Sequence, residues 1–451
     1  MELKDRKVLV IGMGKTGEAV CKFLSKSGAQ IMISERRTPD ELGDSFPRWK
    51  DTAVTFETGG HSLETFLAAD LIITSPGVPP LQEFKEAVEH GIPVYSEVEL
   101  AYRFLKGRII GITGSNGKST TATLTHRILE SGGKRSFLCG NIGTPLIDFV
   151  ESSREEDLYV TELSSFQLNN IDKFRSPVAV YLNVTPDHID WHQNFENYFR
   201  AKNRLFHSQR TGDIAVLNRD DAFVWQIKEE IRSDIYAFSR IKEFSPGIFL
   251  RDGSLFFSDE TEEMLIETEN IPLRGAHNLE NIMTASLIGR IFNIPTDSIR
   301  SSIFAFKGLE HRLEFVAESN GIEFINDSKA TNVDAALKAV RSFDKKIVLI
   351  LGGRDKGGEF KRLKEDLLQR VKSAVLLGEA AQTIRSALNG TVPLANAESM
   401  KDAVQMASEL ADSGDVILLA PACTSWDMYG SFEERGRDFK NEVTSLIGSR
   451  T

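Results

Sequence analysis

Cysteine is scarce in this chain. There are three in 451 residues, Cys21, Cys139 and Cys423, spaced too far apart to read as a disulfide framework. Long hydrophobic runs are missing as well; none approaches the ~18 residues that a membrane span requires, which argues against membrane insertion. Met1–Arg6 leads straight into a strand pattern with no apolar signal segment, so a reducing cytoplasm is the expected compartment. No extended basic block occurs, and 54 Lys and Arg against 65 Asp and Glu leave a net charge of −11, which argues against a nucleic-acid surface. Anionic ligands must therefore be met by local cationic loops. What the chain does have is length and apolar content, 41% hydrophobic over 451 residues, enough for two or three domains.

The stretch Ile109–Thr120 reads as strand, glycine loop and helix. Glycines let several backbone N–H groups face one anion, and the following helix aims the positive end of its dipole at the same point. Gly114, Ser115, Asn116 and Gly117 would cradle phosphates, Lys118 would supply charge to the β- and γ-phosphates, and the Ser119 or Thr120 hydroxyl could ligate Mg²⁺. The strict spacing G-x-x-x-x-G-K-[ST] is not met, because Gly111 lies one residue too early.

An earlier loop makes a second phosphate site. Lys7–Ile11 is a buried-type strand, and Gly12–Gly17 matches G-x-G-x-x-G at the start of a helix. A second strand, Ile31–Ile33, runs into Ser34, Glu35, Arg36 and Arg37, placing an acid where a dinucleotide fold binds ribose. NAD binding by a dehydrogenase is a competitor on these residues, although Lys15 adds a charge that a diphosphate would use. Leu71–Thr74 leads to a Pro/Gly loop that holds Ser75 and Gly77. Two phosphate sites in succession put a domain boundary near residue 96.

Further along, Leu138–Gly143 forms a polar turn containing Asn141. Leu158–Thr161 is a strand that delivers Glu162, Ser164 and Ser165, with Glu162 placed as an oxygen ligand for Mg²⁺ beside the phosphate loop. Val178–Val184 is another strand, ending in a cluster with His188 and His192. Their i, i+4 spacing resembles half of a zinc site, but no H-E-x-x-H pattern or cysteine accompanies it; Mg²⁺ or substrate contact by His188 and simple helix capping remain the readings. Lys202 follows on a helix. Asp252-Gly253 marks a hairpin and a change to antiparallel strands. The run Arg274–Ile282 starts a helix on which Asn278 and Asn281 share a face. A third α/β unit then supplies three polar loops at strand carboxyl ends, around Asp327–Asn332, Gly352–Gly357 and Ala420–Ser425, whose common edge suggests one ligand surface.

Taken together these residues resemble the Mur ligases. The resemblance rests on Gly114–Thr120, Glu162–Phe166, Asn183–His188, Gly308–Arg312 and Asn326–Asn332. It extends to Gly12–Gly17, Ser75–Gly77, Gly352–Gly357 and Ser425–Gly436, and so covers nearly the whole chain. It implies three α/β domains: a Rossmann-like one over 1–96 for the UDP substrate, a central P-loop domain over 97–308 with a mostly parallel and a small antiparallel sheet for ATP, and a Rossmann-like one over 309–451 for the amino acid. It further implies an ATP-dependent ligase that joins D-glutamate to UDP-N-acetylmuramoyl-L-alanine through an acyl phosphate; a relative acting on a different acceptor is the alternative.

By the same resemblance, Lys118, Lys202, His188 and Arg312 are catalytic. Gly114–Thr120, Asn278, Asn281, Arg312, Asp327 and Lys329 contact ATP. Gly14, Lys15, Thr16, Glu35, Arg36, Ser75, Gly77, Asn141, Ser164 and His188 contact the UDP substrate, with Glu35 where a threonine is common at the uracil position. Thr331, Lys356, Ser425 and Phe432 form the D-glutamate pocket. Two Mg²⁺ ions are held by Ser119, Glu162, His188 and Lys202, the last as a CO₂-derived carbamate. A monomer is expected.

Overall fold

The computed structural model describes residues 1–42, 54–273 and 275–448. The chain forms two compact units, one of Met1–Val184, Trp191–Glu269 and Glu280–Ser302, the other of Thr185–Asp190, Asn270–Leu279 and Ile303–Thr451.

The first unit contains two sheets. Five parallel strands, β1 (Lys7–Ile11), β2 (Gln30–Glu35), β3 (Thr55–Thr58), β4 (Leu71–Thr74) and β5 (Val94–Ser96), lie in the order β3-β2-β1-β4-β5. Val8, Leu9, Val10 and Ile11 are all buried, as expected of a parallel strand covered on both faces. The order reverses between β1 and β4, so the loops after these strands, Gly12–Gly17 and Ser75–Val78, border the crevice where such sheets take ligands.

The second sheet has nine strands: β6 (Arg108–Thr113), β7 (Ser136–Gly140), β8 (Leu158–Glu162), β9 (Val178–Tyr181), β10 (Ile214–Asn218), β11 (Asp234–Ser239), β12 (Gly247–Arg251), β13 (Ser254–Ser258) and β14 (Glu262–Glu267). Their order is β14-β13-β12-β11-β10-β9-β6-β8-β7, with β6 at the reversal point. The antiparallel hairpin does not stand apart as a sheet of its own. It continues the parallel sheet through β12, which is parallel to β11 and antiparallel to β13. Asp252 and Gly253 turn the chain with φ of 47° and 74°, the left-handed pair a two-residue hairpin requires.

The second unit carries β15 (Glu314–Ser319), β16 (Ile322–Asn326), β17 (Ile347–Gly352), β18 (Val371–Leu377), β19 (Leu394–Asn396) and β20 (Val416–Leu419), in the order β15-β16-β20-β17-β18-β19 and parallel except for β15. The three polar loops singled out in the sequence leave β16, β17 and β20, which are adjacent. No helix among the described residues is long and apolar enough to cross a membrane.

Candidate active site

The glycine loop after β6 opens at Gly114. Gly111 lies inside β6, where an added Cβ would sit 2.8 Å from Ser176 Oγ and 3.0 Å from Leu163, so its glycine serves packing. Gly114 and Gly117 take φ of 156° and 88°, and Gly117 opens the helix Lys118–Ser131 without a side-chain cap. Lys118 Nζ folds back onto the carbonyls of Gly114 and Ser115, at 2.9 Å each. Ser119 and Thr120 are both buried.

Three neighbours fix the loop. Strand β9 ends at Tyr181, earlier than the apolar run to Val184 suggests, because Asn183 turns to the cradle. Its Oδ1 accepts the Asn116 N–H at 2.9 Å, its Nδ2 donates to the Asn116 carbonyl at 3.0 Å, and its own carbonyl takes the Ser115 N–H at 2.9 Å. Ser115 Oγ pairs with the Tyr198 hydroxyl at 2.9 Å. Asn281 accepts from Thr121 Oγ1 at 3.1 Å and lies so close that a Cβ on Gly117 would be 2.3 Å from its Oδ1. Its helix is Ala276–Ile291; Arg274 lies outside the described residues.

Glu162 is in register with Ile112 of β6, two residues before the cradle, and is 2% exposed. Asn141 Nδ2 donates to Glu162 Oε1 at 2.9 Å, and the Asn141 N–H to the Glu162 carbonyl, so Asn141 orients the acid. Lys202 is 1% exposed and its ammonium donates to the Gly114 carbonyl at 2.9 Å, beside the Tyr198 ring. A buried carboxylate at this edge fits a divalent cation; Lys202 fits one only after its charge is reversed. His192 is buried, pairs with Ser165 Oγ at 2.9 Å and stacks on Phe166. The cluster of His, Cys, Asp and Glu close enough to hold a metal among the described residues is Glu310, His311 and Glu314, which includes neither His188 nor His192.

At the first loop, Gly12 has φ of 87°, and a Cβ on Gly17 would lie 2.0 Å from the Gly12 carbonyl, so both glycines shape the turn. Gly14 opens the helix Lys15–Lys26 without a cap, and a Cβ there would meet nothing, as at Gly77. Ser75 Oγ donates to the Gly12 carbonyl at 3.1 Å. Lys15 reaches the Gly143 carbonyl, bringing this loop to the Asn141 turn. Thr16 is half-buried and Arg36 exposed.

Glu35 turns its carboxylate onto its own loop. It lies within β2, and its carboxylate accepts the Met13 N–H at 2.7 Å, the Arg37 N–H at 3.0 Å, and Arg37 Nε and Nη2 at 3.1 and 3.0 Å. Burial works to raise its pKa, but these hydrogen bonds outweigh it and hold the group at about 2. The acid thus closes the glycine loop from inside. Ser164 is likewise engaged, capping the helix Ser165–Asn169 in a reciprocal pair with Gln167.

In the second unit, Asp187 accepts Asn332 Nδ2 at 2.9 Å and lies 3.9 Å from Lys356 Nζ. His188 follows it with φ of 53°. Lys329 Nζ sits over the Phe432 ring at 5.2 Å. Asp327 is buried, which pushes its pKa up to about 6 against the pull of Arg312, the Leu313 N–H and Lys329. Ser425 and Asn278 are buried and Thr331 is half-buried. Arg435, which the sequence reading did not single out, is 2% exposed and donates to Ser328 Oγ and to the carbonyls of Ser328, Cys423 and Thr424, tying the loops after β16 and β20 together. Burial lowers its pKa to about 10.

Residues 6–96 match the Mur ligase MurD-like N-terminal domain, 112–289 the Mur ligase middle domain and 311–423 the Mur ligase glutamate ligase domain. The UDP-N-acetylmuramoylalanine--D-glutamate ligase of Koribacter versatilis is 43% identical over 448 residues, 99% of both chains. The protein of the same name from Acidobacterium capsulatum is 44% identical over 453 residues, covering 100% of this chain and 98% of its own. In fold, the MurF ligase of Thermotoga maritima in complex with ADP matches with a TM-score of 0.61 at 17% identity, covering 100% of this chain and 97% of that one. Identity above 40% along the whole length leaves no room for a dehydrogenase built on the first glycine loop, and the chain belongs to the Mur ligase family.

Proposed function

We propose that this protein is a cytoplasmic, monomeric ligase that uses ATP to join D-glutamate to UDP-N-acetylmuramoyl-L-alanine in building the peptidoglycan precursor. The observation that carries the reading is 43% identity over 99% of a relative so named. The three-domain division at residues 96 and 308 is part of the same proposal: UDP substrate on the first, ATP on the second, amino acid on the third.

A carboxylate resists an amine because its charge repels the nucleophile and its oxygen leaves poorly. The proposed chemistry removes both obstacles. The alanyl carboxylate oxygen attacks the γ-phosphorus of ATP and ADP departs, giving an acyl phosphate. The D-glutamate amine then adds to the acyl carbon, and the tetrahedral species collapses to amide, phosphate and a proton.

The chain's residues act mainly by position and charge. Gly114–Gly117 and the N-terminus of the helix Lys118–Ser131 hold the β- and γ-phosphates, and Lys118 leaves the loop carbonyls to follow the transferring group. Arg312 and Lys329, with Asp327, Asn278 and Asn281, hold the rest of ATP. Mg²⁺, held by Ser119, Glu162, carbamylated Lys202 and His188, would offset charge on the phosphoryl oxygens. Asn141 keeps Glu162 oriented. Gly14, Lys15, Thr16, Arg36, Ser75 and Gly77 receive the UDP part, and Glu35 shapes their loop. Lys356, Thr331, Ser425 and Phe432 receive D-glutamate, with Lys356 answering a carboxylate.

The test is phosphate release by the purified chain with ATP and Mg²⁺. It should require both UDP-N-acetylmuramoyl-L-alanine and D-glutamate. Release with folate acceptors, with L-alanine, or with no acceptor would refute the assignment.

A further inference from the structure

The turn that carries Arg312 is held in a backbone conformation that residues with side chains avoid. His311 and Leu313, on either side of Arg312, have φ of 63° and 42°. Such a turn persists only where its surroundings over-determine it, and here the restraints converge on Glu314. Its Oε2 accepts the His311 N–H at 2.9 Å and Asn326 Nδ2 at 3.0 Å. The same Asn326 amide points at His311 Nδ1, 2.9 Å away, and at the Gly436 carbonyl.

The other oxygen of Glu314, Oε1, is held from the C-terminal helix Phe432–Gly448. Lys440 Nζ donates to it at 3.0 Å and to Glu310 Oε1 at 2.5 Å. Glu310, His311 and Glu314 stand close enough to share a metal ion, and the ammonium of Lys440 supplies the cation for the two carboxylates. Burial lowers the pKa of His311, and its Nδ1 faces the donating amide of Asn326, so Lys440 rather than an imidazolium answers these acids. One turn earlier on the helix, a Cβ on Gly436 would lie 2.2 Å from His311 Nδ1, so helix and turn are in direct contact.

We infer that Lys440 is a positioning residue for Arg312: by clamping Glu314 from the C-terminal helix it fixes the strained turn at 311–313 and thereby the direction of the guanidinium. The inference rests on the proposed role of Arg312 in holding ATP. With Lys440 gone, the half-buried carboxylate of Glu314 is free to turn to solvent, the His311 N–H loses its acceptor, and the turn relaxes.

The experiment measures ATP Kd by titration calorimetry and the KM of each substrate, on the full chain. Lys440→Met should raise the ATP Kd about fivefold or more and leave the KM values for D-glutamate and the UDP substrate within about twofold. Lys440→Arg should restore ATP binding, and Lys440→Met should add nothing measurable on an Arg312→Ala background. An unchanged ATP Kd in Lys440→Met, an equal rise in all three constants, or a full additive loss on the Arg312→Ala background overturns the inference. If Arg312→Ala itself leaves the ATP Kd unchanged, the role of Arg312 falls, and with it the inference. If Arg312→Ala weakens ATP and Lys440→Met does not, the positioning claim alone fails.

Discussion

Replacing Gly117 by alanine puts one methyl group at the point where the cradle, the helix Lys118–Ser131 and Asn281 meet. Two costs can be worked out. Gly117 has φ of 88°, and a left-handed conformation costs a residue with a Cβ roughly 1–2 kcal/mol. The new Cβ would also lie 2.3 Å from Asn281 Oδ1, a contact no real structure tolerates. Asn281 is 2% exposed and cannot withdraw without giving up its hydrogen bond from Thr121 Oγ1, a further loss of about 1 kcal/mol. If the loop deforms to relieve both, ATP binding bears about 2–3 kcal/mol, or roughly a 30- to 150-fold rise in its Kd. Calorimetric titration with ATP reads this directly, with the KM for UDP-N-acetylmuramoyl-L-alanine as the internal control. An ATP Kd within about threefold of the parent would refute the claim that this loop holds the triphosphate.

Three further outcomes are expected. Glu35→Gln removes the charge that Arg37 and the Met13 N–H converge on; charge-assisted hydrogen bonds are worth about 1.5–3 kcal/mol, so the KM for the UDP substrate should rise about tenfold or more with ATP binding unchanged, and equal kinetics would show that the loop does not depend on it. Glu97 is 1% exposed and burial raises its pKa to about 7, so its contribution to stability is fully present below its unfolded value of about 4.5 and is lost as pH rises through 7. Glu97→Gln should therefore stabilise the fold by up to about 3 kcal/mol at pH 8 and by little at pH 4.5 in denaturant titrations, and a pH-independent difference would contradict this. Lys202→Ala should be inactive and partly restored by small carboxylic acids, which supply an anionic oxygen in place of a carbamate; failure of every acid to rescue would count against the modification.

Much of this architecture could be read from the residues because parallel strands buried on both faces are written as uninterrupted apolar runs. Lys7–Ile11, Ile109–Ile112 and Ile347–Leu351 all lie in such strands. The loops that follow them stand out because their glycines, Gly12 and Gly117 among them, hold the positive φ that a side chain resists. What stayed hidden depends on tertiary partners. Glu35 matched the position of a ribose ligand, yet its acceptors are consumed by Met13 and Arg37, and no spacing rule announces that. Asn183 sat inside an apolar run and read as strand, although its amide brackets Asn116. Gly111 falls one residue too early for the strict phosphate-loop spacing, and its small size serves the contact with Ser176 and Leu163. Arg435 and Lys440 lie on a charged amphipathic helix where most such residues face solvent, and only the fold shows that one joins two loops and the other grips a turn.

In the proposed chemistry the acceptor acid becomes reactive by taking a phosphoryl group from ATP. This step is tested most directly with UDP-N-acetylmuramoyl-L-alanine carrying ¹⁸O in its free carboxylate. One labelled oxygen should pass from that carboxylate into the inorganic phosphate released with each amide formed. Orthophosphate free of label, with product still forming, would contradict it.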